Sequence, residues 1–170
     1  MNKRGLSKVL IIFLIIFATI LVAALAIFAY LFFSTGGGET ITIPNPITNL
    51  SDQEAAEQFN ETFVRYLMYS IGAHNLHNPL FSSDTPKLEI HVSEDIYNAE
   101  VIKGTISVHR GEIPEKDIIL TTTRAEAVQM MKTVSNVKPS FEEGRSTIDL
   151  VVGEIKLASK GYLKIYDKFN

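Results

Sequence analysis

A run of 25 residues, Val9 to Phe33, contains no charged residue, no glycine and no proline. A helix rises about 1.5 Å per residue, so a run of this length spans a hydrocarbon core of about 30 Å with some tilt. A cleaved secretory signal has a shorter apolar region, of roughly 7 to 15 residues, and ends in small residues, whereas residues 28–33 are mostly bulky. The run therefore predicts an uncleaved single-pass membrane anchor over 9–33.

Positive charge lies immediately before the apolar run, at Lys3, Arg4 and Lys8, and no basic residue comes closely after it. By the positive-inside rule, residues 1–8 form a basic cytoplasmic N-terminus and the chain beyond Phe33 lies outside the cytoplasm. The expected location is the cell membrane, with an extracytoplasmic C-terminal domain.

The charge and composition of the rest of the chain exclude several classes of function. The formal net charge is −3 and includes the three N-terminal cations, so the remainder carries −6. Such a domain repels nucleic-acid phosphates, so nucleic acid is not an expected partner. The absence of cysteine excludes a disulfide framework, a thiolate metal site and a thiol nucleophile.

Residues 34–50 have the composition of a linker, because three consecutive glycines give freedom and Pro44 and Pro46 stiffen the chain. A single domain is expected over 51–170, since this length is too short for two. Ser51-Asp-Gln-Glu54 is a capping box that opens one amphipathic helix ending near Gly72. Thr123 to Glu126 is a second capping box, opening a helix to about Ser135.

Alternating polarity predicts half-buried strands over 88–92 and 102–109, and a short apolar run predicts a third over 117–121. After breaks at Pro139 and Gly144, residues 146–157 and 161–169 are expected to add one or two strands. The fold class predicted is α+β, with a small, mainly antiparallel sheet and helices packed on one face.

Three segments of the chain resemble the sterol carrier protein domain. The first is Gly104-Thr-Ile-Ser-Val-His-Arg-Gly111, a strand between two glycines. The second, residues 114–126, begins with Pro114 and Asp117 and leads through a strand into a helix, and the third is the apolar stretch Val151 to Gly161. The resemblance, over residues 86–168, implies a sheet curved around an apolar tunnel that takes an acyl chain, a sterol or an isoprenoid.

Surplus apolar volume between sheet and helices, rather than a polar constellation, would carry such a function. Methionines adapt to varied apolar shapes and suit such a lining. The alternative for the same side chains is an ordinary packed core. The candidate ligand-binding residues are Ile90, Val92, Ile106, Val108, Met130, Met131, Phe141 and Leu157.

No catalytic or metal-binding motif is found, and neither a catalytic residue nor a cofactor is predicted. His74 and His77 are spaced by three residues but lack a third ligand, so they are expected to be solvated. His91 and His109 share the polar face of the predicted strands and are expected at the surface, where they could be neighbours across strands. Phosphate-loop and nucleophile-elbow patterns are absent from the sequence.

Lys3-Arg4-Gly5-Leu6-Ser7 before a long apolar helix resembles the cleavage signal of archaeal type IV prepilins. In that family a peptidase cuts after the glycine, and the helix becomes the packing stalk of a filament. Two functions thus remain open for a membrane-anchored, non-enzymatic domain. One is the binding or transfer of lipid-like ligands, and the other is a protein-interaction or pilin-like assembly subunit with a protein partner at the cell surface.

Overall fold

The computed structural model describes residues 12–13, 15–27 and 43–166. The chain divides into two compact units, Met1–Glu39 and Thr40–Asn170. In the first unit the described residues are helical, and the Thr19 hydroxyl donates to the carbonyl of Ile16 at 2.8 Å.

No helix within the described residues is long and apolar enough to cross a membrane. The predicted anchor over 9–33 extends beyond the described helical residues at both ends, so it stays a prediction. The prepilin-like segment 3–7 and linker residues 34–42 lie outside the described residues altogether.

The second unit is built on a five-stranded mixed sheet with the strand order β3-β2-β1-β4-β5. The strands are β1 (Lys87–Val92), β2 (Asp95–Ile102), β3 (Thr105–Arg110), β4 (Ile118–Thr122) and β5 (Thr147–Leu150). Three neighbouring pairs are antiparallel and one, β1 with β4, is parallel. The α+β class and the mainly antiparallel sheet are therefore confirmed.

Helices pack over one face of this sheet. They are α1 (Asp52–Glu57), α2 (Glu61–Ser70), α3 (Arg124–Lys132), α4 (Val137–Glu142), α5 (Glu154–Ser159) and α6 (Leu163–Tyr166), with 3-10 turns at Ala73–Asn75 and Val134–Asn136. The register places Ile90 of β1 beside Tyr97 of β2 and Leu120 of β4, and all three side chains are buried on the helix-covered face. This face forms the core of the domain.

The first predicted helix is split in two. Ser51 does cap α1, with both hydrogen bonds of the capping box present. A second cap lies at Asn60, whose side chain accepts from the backbone N–H of Thr62 at 2.9 Å and opens α2. Asparagine is a strong N-cap, so the chain restarts its helix there although the apolar spacing runs on unbroken.

Strand β2 is not predicted by the sequence pattern, and its last residue is predicted to belong to β3. Lys103 and Gly104 form a tight turn with φ of 50° and 81°, which is the conformation of a two-residue hairpin. Ile102 therefore closes β2 and Thr105 opens β3. The small Ala99 in the middle of β2 weakens the apolar alternation that would have indicated this strand.

The position of β2 also corrects the prediction for two histidines. Because β2 lies between β1 and β3, the suggestion that His91 and His109 are cross-strand neighbours is wrong. His91 pairs with Ile96, and His109 pairs with Asn98.

The predicted C-terminal strands are largely wrong. Among the described residues of the two segments only β5 is a strand, and residues 154–159 and 163–166 are the short helices α5 and α6. Pro139 does not break the chain but lies in the first turn of α4, where its missing N–H has no helical acceptor to lose. Within 146–157 and 161–166, some apolar residues belong to a strand and others to helices. Segments this short do not distinguish the periodicity of a strand from that of a helix.

The parallel pairing of β1 with β4 is not predicted either, and it explains an unexpectedly buried carboxylate. After β3 the loop 111–117 returns along the polar face of β1, so that β4 begins beside the start of β1. Glu89, expected on a solvated face, is only 2% exposed, and its carboxylate accepts from Lys116 at 2.5 Å, His91 at 2.8 Å and the N–H of Ile113 at 3.3 Å.

Glu89 is expected to make folding stability depend on acid pH. Burial opposes its ionisation, but the hydrogen bonds from Lys116 and His91 outweigh burial, so the pKa of Glu89 lies below its ordinary value. A depressed pKa contributes stability above the ordinary value near 4.5 and loses it as pH falls through the folded value.

We expect Glu89→Gln to lower the free energy of unfolding of the full chain at pH 7 by about 1.5–3 kcal/mol, since a charged hydrogen-bond acceptor is lost. The variant should also flatten the decline in stability between about pH 5 and pH 2. Denaturant titration at several pH values measures both effects. The matched control is Glu94→Gln at an exposed site on the adjoining turn; equal effects of the two substitutions would contradict this account of Glu89.

Candidate functional site

An open apolar groove of about 160 Å³ lies between strands β4 and β5 and the two C-terminal helices. Every lining residue except Glu154 is aliphatic or aromatic. The lining residues are Ile118, Ile148, Leu150, Glu154, Leu157, Tyr162, Leu163, Ile165 and Tyr166. The chemistry that such a surface supports is the binding of an apolar chain or of apolar side chains.

The sheet register supplies one wall of the groove. Ile118 of β4 pairs with Leu150 of β5, and Leu120 pairs with Ile148, so the apolar side chains of both strands share one face. On the opposite wall, Leu157 of α5 and Ile165 of α6 are buried. Because no further strand pairs with β5 in the part of the chain that the structure describes, the groove remains open on that side.

The mouth of the groove is lined by apolar side chains that face solvent. Leu163 is 59% exposed, Leu150 44% and Tyr166 38%. Large apolar groups are ordinarily buried or scattered singly, so three of them around one groove mark a contact surface for something apolar.

A fully buried lysine holds the α5–α6 wall in place. Lys160, at the end of α5, has no exposed surface, and its ammonium donates to both carboxylate oxygens of Asp117, at 2.8 and 2.9 Å. It also donates to the Asp84 carboxylate and to the carbonyl of Thr85, each at 2.9 Å. All three ammonium hydrogens therefore have partners, which is the condition for burying such a charge without a large penalty.

Asp117 connects this cluster to the sheet and to the groove. It immediately precedes β4, is itself fully buried, and accepts the backbone N–H of Lys87 at 2.8 Å and the Tyr162 hydroxyl at 3.1 Å. Burial, followed by the negative charge of Asp117, raises the pKa of Tyr162 far above its ordinary value. Tyr162 therefore stays neutral, presenting its ring to the groove and its hydroxyl to the buried carboxylate.

The predicted ligand-binding residues are dispersed in the structure. Leu157 lines the groove. Ile90, Met130 and Phe141 line a separate, much smaller cavity of about 20 Å³ beside α2. The other four predicted residues, all buried in the packed core, are Val92, Ile106, Val108 and Met131.

Most of the groove is missed by sequence reasoning because its residues lie in segments whose pattern predicts strands. In a final strand, side chains would point alternately to the two faces of the sheet. Leu163 and Tyr166 would then not both face a groove beside β5. The signal that could have found α6 is Gly161, a left-handed residue with φ of 87° that ends α5 and is the usual residue at a helix C-terminus.

Within the described residues, the histidines are not grouped with two or more other potential metal ligands. The ring of His74 stacks on Tyr69 with ring centroids 5.7 Å apart, and His77 Nδ1 lies 3.0 Å from the carbonyl of Asn78. The described residues contain no group of three or more potential ligands that could hold a metal ion.

Neither the protein-family models nor the curated proteins contain a match to this chain. Among solved structures, it is similar to sterol carrier protein 2-like 2 of Aedes aegypti, with 17% identity, a TM-score of 0.36, and 61% of this chain and 92% of that one covered. It is also similar to sterol carrier protein 2 of Yarrowia lipolytica, with 14% identity, a TM-score of 0.32, and 78% and 99% covered.

A third similar structure is a ubiquinone synthesis protein that contains a sterol carrier protein domain, with 9% identity, a TM-score of 0.38, and 64% and 90% covered. Several structural neighbours are thus sterol carrier protein-like domains, the class that the sequence resembles. Because the TM-scores are low, these likenesses do not assign the chain to a family.

Removing the buried cation should loosen the wall of the groove. We expect Lys160→Met to lower the free energy of unfolding by about 3–5 kcal/mol, because it leaves Asp117 buried without its charged partner. Lys164→Met, at an exposed position of α6 four residues along the chain, is the matched control and should change stability by less than about 0.5 kcal/mol. Chemical denaturation measures both values, and similar losses in the two variants would refute the role of Lys160.

Proposed function

We propose that this protein is a membrane-anchored, extracytoplasmic, non-enzymatic domain that holds or passes a lipid-like chain through the groove beside β5. The observation that carries the proposal is the groove, which is apolar on both walls and open at an edge strand. Its exposed rim of Leu150 and Leu163 gives an entering chain apolar contact before it reaches the buried Leu157.

The volume of the groove restricts the class of ligand. About 160 Å³ is close to the apolar cavity of about 150 Å³ that accepts benzene, and below the roughly 300–1,000 Å³ of a site that encloses a drug-sized ligand. The groove therefore accepts a short length of one linear chain and has no room for a fused ring system. A fatty acyl or isoprenoid chain fits this description, with its remainder leaving by the open mouth.

The polar groups beside the groove support a binding role rather than a catalytic one. Asp117 already accepts hydrogen bonds from Lys160, Tyr162 and the backbone of Lys87. The ammonium hydrogens of Lys160 are all hydrogen-bonded within the same cluster, and Tyr162 stays neutral. These three groups serve to fix the wall of the groove, and each would have to give up a buried partner in order to act as an acid or base.

A charge at the mouth of the groove should block ligand binding. In the fragment 40–170, a compact unit with its own core, we expect Leu163→Glu to weaken the binding of cis-parinaric acid at least tenfold, since apolar contact is replaced by a charge. Ile155→Glu introduces the same charge at an exposed site that does not line the groove, and should change binding less than twofold. Fluorescence titration, with native mass spectrometry for co-purified lipid, measures the effect.

Failure of the unsubstituted fragment to bind cis-parinaric acid, with no lipid co-purified, would refute the carrier function. Equal weakening by both glutamates would place the binding outside the groove. Circular dichroism before each titration establishes that both variants are folded.

The anchor rests on the 25-residue apolar run and on the cations before it. We expect the full chain to stay in the membrane pellet after alkaline carbonate extraction and a variant lacking residues 9–33 to move to the supernatant. Release of the full chain by carbonate would contradict the anchor.

Intact mass of the full chain tests the prepilin resemblance. Cleavage after Gly5 would favour a pilin-like assembly subunit, and an uncut N-terminus would exclude one.

A protein-interaction module is the second candidate function, and one observation favours it. β5 pairs with β4 on one side and, among the described residues, has no partner strand on the other, and Leu150 at its end and the adjacent Val151 are both exposed. Exposed apolar edges are templates for pairing with another chain. A fragment that binds no lipid but forms a dimer weakened by Val151→Glu would establish this function in place of the carrier.

A further inference from the structure

A four-residue turn, Pro79–Ser82, projects two large apolar side chains into solvent. The N–H of Ser82 donates to the carbonyl of Pro79 at 3.1 Å and closes the turn. Leu80 is 53% exposed, and Phe81 is fully exposed, at 104% of its reference area. Among the described residues of this unit no other large apolar side chain is so completely exposed, the next being Ile155 at 89%.

The backbone of Phe81 makes this exposure harder to explain as chance. Its φ of 62° lies in the left-handed region, at the third position of the turn, where glycine is the usual residue because a Cβ is crowded there. An aromatic residue at this position is conformationally unfavourable and buries nothing within the domain. The stability of the fold therefore does not account for Phe81, whereas contact with an apolar partner does.

The turn is braced at both ends against α5. On one side the N–H of His77 donates to the carbonyl of Lys160 at 3.1 Å. On the other side Asp84 forms ion pairs with Lys156 and Lys160, each at 2.9 Å. The two apolar side chains are thus presented by a fixed support, so little conformational entropy is lost when they enter a partner.

We propose that the turn Pro79–Ser82 inserts Leu80 and Phe81 into the interfacial layer of a lipid bilayer. Phe81 itself carries no charge, and the nearest ion pairs cancel, since Asp84 faces two lysines of which Lys160 is also neutralised by Asp117. With the acidic charge of the chain beyond the anchor, this favours a zwitterionic surface over an anionic one. Insertion then depends on apolar burial and is little affected by salt.

The length of the connector places a bilayer within reach. Residues 34–42, which lie between the predicted anchor and the described part of the domain, are nine in number and extend over at most about 30 Å. A domain of this size has a radius of gyration of about 14 Å, so a surface turn on the tethered domain can reach the interface. This inference rests on the anchor of the proposed function and is independent of ligand binding in the groove.

The chain contains no tryptophan, so a single introduced indole reports its own surroundings. Full-length protein carrying Phe81→Trp is reconstituted in phosphatidylcholine vesicles, with and without bromine on the acyl chains. We expect brominated lipid to quench the emission at least twofold and iodide in the buffer to quench it weakly. The matched control is Val134→Trp, at a 49% exposed site in another segment, and it should show the opposite pattern.

Two results would overturn the proposal. Phe81→Trp that is quenched by iodide as strongly as Val134→Trp would mean that the turn remains in water. Phe81→Trp that is shielded from both quenchers would mean that protein, such as a second copy of the chain, covers it. Neither result alters the binding of cis-parinaric acid by fragment 40–170, so the proposed ligand binding in the groove is tested separately.

A second variant tests whether Phe81 is needed for folding. Phe81→Gly should unfold at a temperature no lower than that of the natural chain, because glycine adopts the left-handed conformation without steric cost. A lower unfolding temperature would show that the ring supports the fold, and would overturn the argument that its exposure serves a partner.

Discussion

The C-terminal part of this domain depends on one buried ion pair, that between Lys160 and Asp117. Both residues are fully buried, and each has its remaining hydrogen-bonding capacity satisfied, by Asp84 and Thr85 on one side and by Tyr162 and the backbone of Lys87 on the other. An ion pair in a low-dielectric interior is tolerated only when both charges are fully paired. It is therefore directional in a way that apolar packing is not, and it fixes where α5 ends relative to the start of β4.

The groove is a consequence of that constraint. α5 and α6 are only six and four residues long, too short to be stable helices by themselves. The ion pair holds them against β5, which is the edge strand of the sheet within residues 43–166. Lys160 also links this wall to the loop that carries Leu80 and Phe81, through Asp84. The apolar groove and the exposed apolar turn are thus supported by the same buried cation, so the proposed membrane contact and the proposed chain binding would share one structural support.

The prediction of the fold succeeded where a local signal was strong. Ser51 and Thr123 each cap a helix as expected, and the alternation of Leu88, Ile90 and Val92 marks β1. It failed where a signal was short or shared. Asn60 caps a second helix although the apolar spacing continues past it, and the small Ala99 weakens the alternation that would have indicated β2. Of the predicted ligand-binding residues only Leu157 lines the groove, since apolar character alone does not distinguish a wall from a core.

The amino-acid sequence alone indicates the apolar N-terminal run, the acidic charge of the chain after it, the two capped helices and the α+β class. Each of these depends on composition or on residues close together along the chain. The parallel pairing of β1 with β4, the burial of Glu89 and Lys160 and the position of the groove depend instead on tertiary structure. These features bring together residues far apart in sequence, such as Asp84, Asp117 and Lys160. Whether a charged side chain is solvated or buried depends on what the rest of the chain places over it, and local patterns carry no information about that.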